Sequence, residues 1–151
     1  MILLLKLNQL GVIGMKIRKT KIVIDTNLWI SFLITKNYQK LDDLFERKKI
    51  QLLFSKELVE EFIEVAKRPK FQKYFTDSDI EKLLINFDSI GKIINVKSNL
   101  KDCRDTKDNF LLNLAVDGKA KYLISGDKDL LSLKIIGKTK IISMNEFIEI
   151  I

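Results

Sequence analysis

The chain has 151 residues, with 27 Lys and Arg against 20 Asp and Glu, no histidine and a single cysteine, Cys103. The missing histidine excludes a Ser-His-Asp or Cys-His nucleophilic centre, histidine-ligated zinc and a histidine-based ribonuclease mechanism. The net charge of +7 favours a polyanionic partner such as nucleic acid, although a basic surface that only aids solubility explains it equally well. The lone cysteine excludes an internal disulfide and fits a reducing, cytoplasmic setting.

Residues 1–14 are apolar but interrupted by Lys6 and two polar amides, so they are too short and broken to span a bilayer. They also lack the basic segment that precedes the apolar run of a signal peptide. Met15 begins a stretch that is typical of a normal start just before a first strand. We therefore expect an extension at 1–14 outside the fold, a single domain over 15–151 and no contact with a membrane.

Short β-branched runs alternate with longer helical patterns along the rest of the chain. Strands are predicted, in chain order, at Lys21–Ile24, Gln51–Phe54, Lys92–Val96, Tyr122–Ser125 and Lys140–Ile142. Helices are predicted at Leu28–Ile34, Leu41–Arg47, Lys56–Lys67, Asp77–Ile90, Asn109–Asp117 and Lys128–Leu131, with a last short helix from Asn145. Apolar strands that alternate with helices indicate a parallel sheet covered on both faces.

Acidic residues recur at the junctions between these predicted elements. Asp25 follows the first strand, Asp127 follows the fourth, and Asp108 begins the helix that leads into the fourth. These positions can all face the carboxyl edge of the sheet, where functional residues gather in such folds. In the helix from Lys56, the apolar stripe leaves Glu60 and Glu61 at its two margins, and periodicity alone does not choose between them.

Carboxylates that gather in one cleft repel each other unless a cation lies between them. Their hard oxygens suit Mg²⁺ or Mn²⁺, which lower the pKa of bound water and stabilise charge on a phosphoryl oxygen. An acidic pocket on an otherwise basic protein therefore indicates metal-dependent hydrolysis of phosphodiester bonds.

Each acid also has a purely structural interpretation. Asp25 can cap the helix that follows it, the pair Asp105 and Asp108 resembles a capping arrangement, and Gly126-Asp127 can form a plain strand-to-helix turn. The joint pattern carries more information than any one position, because independent caps need not fall at one edge of a sheet. The chain also lacks the glycine-rich motifs of nucleotide-cofactor enzymes.

Four segments, in order, resemble the motifs of PIN-domain nucleases. They are IVIDTN at 22–27, SKELVEEFIEV at 55–65 with RPKF at 68–71, CRDTKDNFLLNLA at 103–115, and YLISGDKDLL at 122–131. The likeness is greatest to the branch described as toxin components of toxin–antitoxin pairs. It implies a Rossmann-like, three-layer α/β/α PIN domain with a central, mainly parallel sheet of five strands.

The resemblance also implies a metal-dependent ribonuclease that uses Mg²⁺ or Mn²⁺. Residue by residue, it assigns catalysis and metal binding to four acids, and it thereby selects Glu61 over Glu60: Asp25, Glu61, Asp108 and Asp127. It adds Asp105 as a metal ligand, directly or through water, and Asn27 and Ser125 as polar neighbours that orient the ligands.

The partners implied by the resemblance are an RNA substrate, a small antitoxin protein and, at the family level, a second copy in a homodimer. Two rival functions remain open. One is a non-catalytic RNA- or antitoxin-binding module that keeps the acids for folding. The other is a DNA-directed, flap-type nuclease with the same chemistry.

Overall fold

The computed structural model describes residues 18–35, 50–101 and 106–151. Within them, six strands form one sheet in the order β3-β2-β1-β4-β6-β5. The strands are β1 (Thr20–Ile24), β2 (Ile50–Phe54), β3 (Gly91–Ile93), β4 (Tyr122–Ile124), β5 (Ile135–Ile136) and β6 (Thr139–Ile142). Neighbouring strands are parallel except β5 and β6, which pair antiparallel. The mainly parallel α/β fold expected from the sequence is confirmed.

The described ranges also contain six α-helices. They are α1 (Thr26–Thr35), α2 (Lys56–Ala66), α3 (Asp77–Ile90), α4 (Asn109–Asp117), α5 (Lys128–Leu133) and α6 (Met144–Ile150). None of these helices is long and apolar enough to cross a membrane. The predicted helix at Leu41–Arg47 and the expected extension at 1–14 lie outside the described residues.

The central strands β1, β2 and β4 are nearly continuous apolar runs because both of their faces are covered. Val23, Leu52 and Leu123 have no more than 1% of their surface exposed. The helix α4 packs against all three of these strands, and α1 packs against α2. The core therefore fixes both the sheet and the helices that begin or end at its carboxyl edge.

The sheet has one strand more than the five that the sequence predicted. β5 has only two residues, and Gly137 follows it with a φ of 56°, in the turn that leads to β6. Two residues are too few to show the alternation by which strands are predicted. The third strand ends at Ile93 rather than Val96, because it pairs only with β2 and stops opposite Phe54, where β2 itself ends.

The residues that follow the parallel strands meet at one edge of the sheet. Ile24 pairs with Ile124, so Asp25 and Ser125 lie side by side just beyond β1 and β4. The Asp25 N–H donates to the Ile124 carbonyl over 3.0 Å, which holds the two chain segments together past the last paired residues. This edge, where β1 and β4 end, is the edge at which ligands bind in open α/β sheets.

Candidate active site at the carboxyl edge of the sheet

Asp25 is the most enclosed acid at this edge, with only 6% of its surface exposed. Its Oδ2 accepts a hydrogen bond from the Ser125 hydroxyl over 2.7 Å, and its Oδ1 accepts one from the Asn27 N–H over 3.2 Å. Burial raises the pKa of Asp25, these two hydrogen bonds oppose the shift, and the nearby Asp127 charge adds to it. The negative charge of Asp25 is therefore held where it is costly without a cation.

Ser125 connects this carboxylate to Asp127. The Ser125 Oγ, which donates to Asp25, also accepts a hydrogen bond from the Asp127 N–H over 3.0 Å. Asp127 in turn caps α5, since its Oδ1 accepts from the N–H groups of Asp129 and Leu130 over 2.8 and 3.1 Å. Both cap bonds use Oδ1, so Oδ2 takes no part in the cap. The Asp127 side chain therefore caps α5 and also places a negative charge near Asp25.

Glu61 reaches the same region from α2. This helix begins at the carboxyl end of β2, where the buried Ser55 accepts a hydrogen bond from the Leu58 N–H over 3.2 Å. In the second turn, Glu61 Oε2 accepts a hydrogen bond from the Thr26 hydroxyl over 2.5 Å. Glu60 is exposed and pairs with Lys56 at 3.7 Å. Of the two glutamates that periodicity left open, Glu61 is the one that contacts α1.

The pKa of Glu61 is also raised. Burial is the largest cause, and the Asp25 and Glu64 charges add to it, while the hydrogen bond from Thr26 and the charge of Arg68 act in the opposite direction. Asp127 acts on Asp25, and Asp25 acts on Glu61. The three carboxylates Asp25, Glu61 and Asp127 are therefore coupled by repulsion, even though they come from three separate segments of the chain.

Asp108 lies at the start of the helix that leads into β4. It ends the short 3-10 turn Thr106–Asp108 and is the N-cap residue of α4, without a side-chain cap hydrogen bond. α4 packs against β1, β2 and β4, and the metal role of Asp108 rests on its place in the third motif. Asp105 lies outside the described residues. Asn27 is exposed, and its backbone N–H, rather than its amide, is the group bound to Asp25.

Thr26 is a site residue that the sequence did not indicate. It is 1% exposed, and its hydroxyl donates to Glu61, which lies 35 positions later. The only local signal was its place between Asp25 and Asn27 in the first motif. The contact arises from packing of α1 against α2, which no local pattern encodes.

The donors at this edge are carboxylate and hydroxyl oxygens, the ligands that Mg²⁺ and Mn²⁺ prefer. Asp25 and Glu61 have raised pKa values and repel each other. The charge of a divalent cation would offset both the cost of burying these carboxylates and their mutual repulsion. Among residues 18–35, 50–101 and 106–151, no three acidic or thiol side chains are already grouped as metal ligands. The chemistry of these oxygen ligands fits a divalent metal ion.

Residues 21–129 match the family model of the PIN domain, and the chain belongs to this family. PIN domains are generally nucleases, and PIN-domain nucleases typically use divalent metals. The four motifs predicted membership of this family, and the match confirms it.

Two further proteins are similar to this chain. One is an uncharacterized protein of Methanocaldococcus jannaschii, MJ1680, which is 41% identical over 119 residues that cover 77% of this chain and 76% of that protein. The other is PAE2754 from Pyrobaculum aerophilum, whose crystal structure superposes with a TM-score of 0.53 at 15% identity, over 86% of this chain and 88% of that one. At such low identity, the second likeness shows the fold alone.

Proposed function

We propose that this chain is a metal-dependent endoribonuclease, the toxin component of a toxin–antitoxin pair, in a reducing, cytoplasmic setting. The observation that carries the proposal is the environment of Asp25. Its carboxylate is 6% exposed, its pKa is raised by burial, and the Asp127 charge raises it further. A group that served only as a helix cap would gain nothing from a second acid nearby, whereas a ligand of a divalent cation needs one.

In this proposal, four acids hold Mg²⁺ or Mn²⁺ or its waters, with Asp105 as a further ligand: Asp25, Glu61, Asp108 and Asp127. A divalent cation bound there would supply a water of lowered pKa and stabilise charge on the phosphoryl oxygens. The protein's own hydroxyls orient the ligands, because Ser125 holds one oxygen of Asp25 and Thr26 holds one oxygen of Glu61.

One of the four acids would also accept the proton of the attacking water. By family analogy, we expect products with 5′-phosphate and 3′-hydroxyl ends. The net charge of +7 supports a nucleic-acid substrate.

Cleavage assays with defined substrates test this function. Labelled RNA, structured and unstructured, and matching DNA are incubated with Mn²⁺, with Mg²⁺ and with a chelator. We expect RNA cleavage that requires the metal and that falls by at least about 100-fold in Asp25→Asn and Asp108→Asn, more than loss of an outer partner usually costs. Glu60→Gln is the matched control and should cut normally. Cleavage that persists in chelator or in both variants contradicts the proposal, and preferential cleavage of DNA flaps favours the DNA-directed rival.

The toxin assignment requires a small inhibitory protein. We expect a protein encoded next to this one to copurify with it after coexpression and to suppress RNA cleavage, and we expect the nuclease itself to form a homodimer. Cells that tolerate the active nuclease without any such neighbour would argue against a toxin while leaving the ribonuclease intact.

A non-catalytic binding module is the second candidate, because two of the acids already have a structural use. Asp25 accepts the N–H of Asn27 in the first turn of α1, and Asp127 accepts two N–H groups at the start of α5. Under this alternative, the protein binds RNA or an antitoxin equally well with Mn²⁺ or chelator, and it cuts no substrate under any condition. The same assays therefore decide between the two.

A further inference from the structure

A second charged feature lies at the opposite, amino edge of the sheet. A cavity of about 740 Å³ opens there, and five basic residues line it: Arg18, Lys19, Lys21, Lys119 and Lys121. The other two described residues that line it are uncharged. β1 has five residues, so this cavity lies about 16 Å along the strands from Asp25. It is separate from the acidic edge.

Strand pairing places these cations together. Lys21 lies in β1 opposite Gln51 of β2, which also lines the cavity. Lys121 directly precedes β4, and its N–H donates to the Lys21 carbonyl over 2.8 Å. Residues that are 100 positions apart in the chain thus become neighbours. The cluster is a product of the parallel β1–β4 pairing rather than of a run of basic sequence.

Lys119 reaches the cavity from an unusual backbone conformation. Its φ is 55°, in the left-handed region that residues with a full side chain rarely adopt. It lies in the short turn between α4 and β4, and its N–H donates to the Val116 carbonyl over 3.1 Å. Together with the Ala120 N–H, which donates to the Ala115 carbonyl over 2.9 Å, this bond closes a Schellman-type turn at the C-terminus of α4. This turn adds a fifth cation to the cavity.

Five positive charges around one cavity repel each other when no described acid lines it. Negative charge in the cavity relieves that repulsion, and the lysine side chains are long enough to follow a chain of phosphates rather than one fixed anion. The volume lies within the range of ligand pockets and far exceeds that of a single phosphate ion. A flexible polyanion with regularly spaced charges therefore fits the cavity.

We infer that this basic cavity is a second RNA-binding site, which holds backbone phosphates of a substrate whose scissile bond lies at the acidic edge. The inference rests on the proposed function for the choice of RNA as the polyanion, but it concerns binding and not hydrolysis. A folded RNA that reaches both edges is held at two places, so the cavity selects structured substrates over short ones.

The test measures RNA binding as a function of salt, in chelator, so that no cleavage occurs. The probe is a fluorescently labelled RNA hairpin with single-stranded tails, and the variant is Lys19→Gln, Lys119→Gln and Lys121→Gln combined, three exposed positions of the cavity. We expect the slope of log affinity against log salt to become shallower by about two to three, because each lost phosphate contact removes about 0.7 to 0.9. We expect the affinity at moderate salt to fall by on the order of tenfold.

The matched control removes the same charge elsewhere: Lys67→Gln, Lys70→Gln and Lys73→Gln combined. These three lysines are exposed and do not line the cavity. In this control variant, we expect the slope of log affinity against log salt to change by less than about one. Thermal unfolding of both triple variants verifies that they are folded.

Three outcomes overturn the inference. They are equal slope changes in the two triple variants, no RNA binding by the unaltered chain, and competition by polyglutamate as strong as by unlabelled RNA. The last outcome would indicate an acidic protein segment as the occupant. The proposed function fails separately, if the unaltered chain cuts no RNA when Mn²⁺ is supplied, and that failure leaves the binding result standing.

Discussion

The Ser125 hydroxyl donates a 2.7 Å hydrogen bond to Asp25 Oδ2 and so joins two residues that are 100 positions apart. Ser125 is fully buried and Asp25 nearly so. The same Ser125 oxygen accepts the Asp127 N–H. One hydroxyl therefore satisfies a buried carboxylate and, at the same time, fixes the turn that carries the next acid.

Replacement of Ser125 by alanine is expected to lower the free energy of unfolding. The substitution removes the donor to Asp25 and leaves the Asp127 N–H without that acceptor, which together cost about 1–3 kcal/mol. Chemical denaturation measures the loss. Ser132→Ala is the control, because Ser132 is exposed and its hydroxyl donates only to the Asp129 carbonyl. If both variants lose the same free energy of unfolding, the Ser125 hydrogen bonds contribute no more than the exposed Ser132 bond does.

The raised pKa of Asp25 predicts how stability varies with pH in the absence of metal. The folded protein binds this proton more tightly than the unfolded chain does, so the contribution of Asp25 is most favourable below about pH 4. It is lost as the pH rises through the unfolded and then the folded pKa, at about 1.4 kcal/mol for each unit between them. Asp25→Asn should abolish this loss.

The measurement is urea denaturation in chelator from pH 4 to 7.5, and the quantity compared is the difference between the unaltered chain and Asp25→Asn. Other acids have lowered pKa values and give the opposite slope: Asp79, Asp117 and Glu146. They are present in both proteins, so their contributions cancel in the difference. A difference that does not change with pH would mean that Asp25 titrates as it does in the unfolded chain.

Divalent cations should stabilise the unaltered chain more than they stabilise Asp25→Asn. A ligand that binds only the folded state at 100 times its dissociation constant adds about 2.7 kcal/mol. We therefore expect Mn²⁺ to raise the melting temperature by several degrees, and to have little effect once Asp25 is neutral. Glu60→Gln, which removes an exposed acid paired with Lys56, should keep the full response. Equal shifts in all three proteins, or the same shift with NaCl at equal ionic strength, would contradict a metal site at Asp25.

The sequence predicted the sheet and part of the site for the same physical reason. Parallel strands end at one edge, so the residues after β1 and β4 can be expected there from the sequence. This rule places Asp25 and Asp127 at that edge, whereas Ser125 was assigned only through the resemblance to PIN-domain nucleases. The choice of Glu61 over Glu60 does not follow from periodicity, since both lie at the margin of the α2 stripe. The resemblance to PIN-domain nucleases selected Glu61, and the packing of α1 on α2 brings Glu61 to Thr26.

The parts that escaped prediction are those with short or non-local signals. β5 is too short to show a strand pattern, and the basic cavity forms only when the parallel pairing of β1 and β4 brings Lys121 beside Lys21. Asp127 caps α5 and also exerts a charge on Asp25, because these two effects use different properties of one side chain. Residue type and local spacing predict hydrogen bonds between neighbours in the chain. The effect of one charge on a carboxylate far along the chain can be known only from the fold.

Thr26→Val is expected to reduce RNA cleavage while it leaves the fold nearly unchanged. Valine keeps the shape of the buried side chain but cannot donate to Glu61. Loss of such an orienting partner usually costs roughly 10- to 100-fold in activity or metal affinity. Thr26→Ser, which restores the hydroxyl, should recover most of the activity. If serine and valine variants are equally impaired, the hydroxyl is not what matters and the effect comes from packing.

Asp127 allows the capping role and the charge to be measured apart. Asparagine retains the Oδ1 acceptor for the N–H groups of Asp129 and Leu130, but it removes the charge that acts on Asp25. We expect Asp127→Asn to keep the stability of the unaltered chain and to lose metal-dependent cleavage. Asp127→Ala should lose both, with about 1 kcal/mol less stability from the missing cap.

The control for these two variants is Asp129→Asn, which removes a neighbouring charge from the first turn of α5 without touching the cap acceptor. It should cut RNA normally. Stability comes from denaturation in chelator, and cleavage comes from the same RNA with Mn²⁺. If Asp127→Asn cuts as fast as the unaltered chain while Asp127→Ala is unstable, Asp127 is a helix cap alone. The proposed metal site would then have to consist of Asp25, Glu61 and Asp108, with Asp105 as the further ligand.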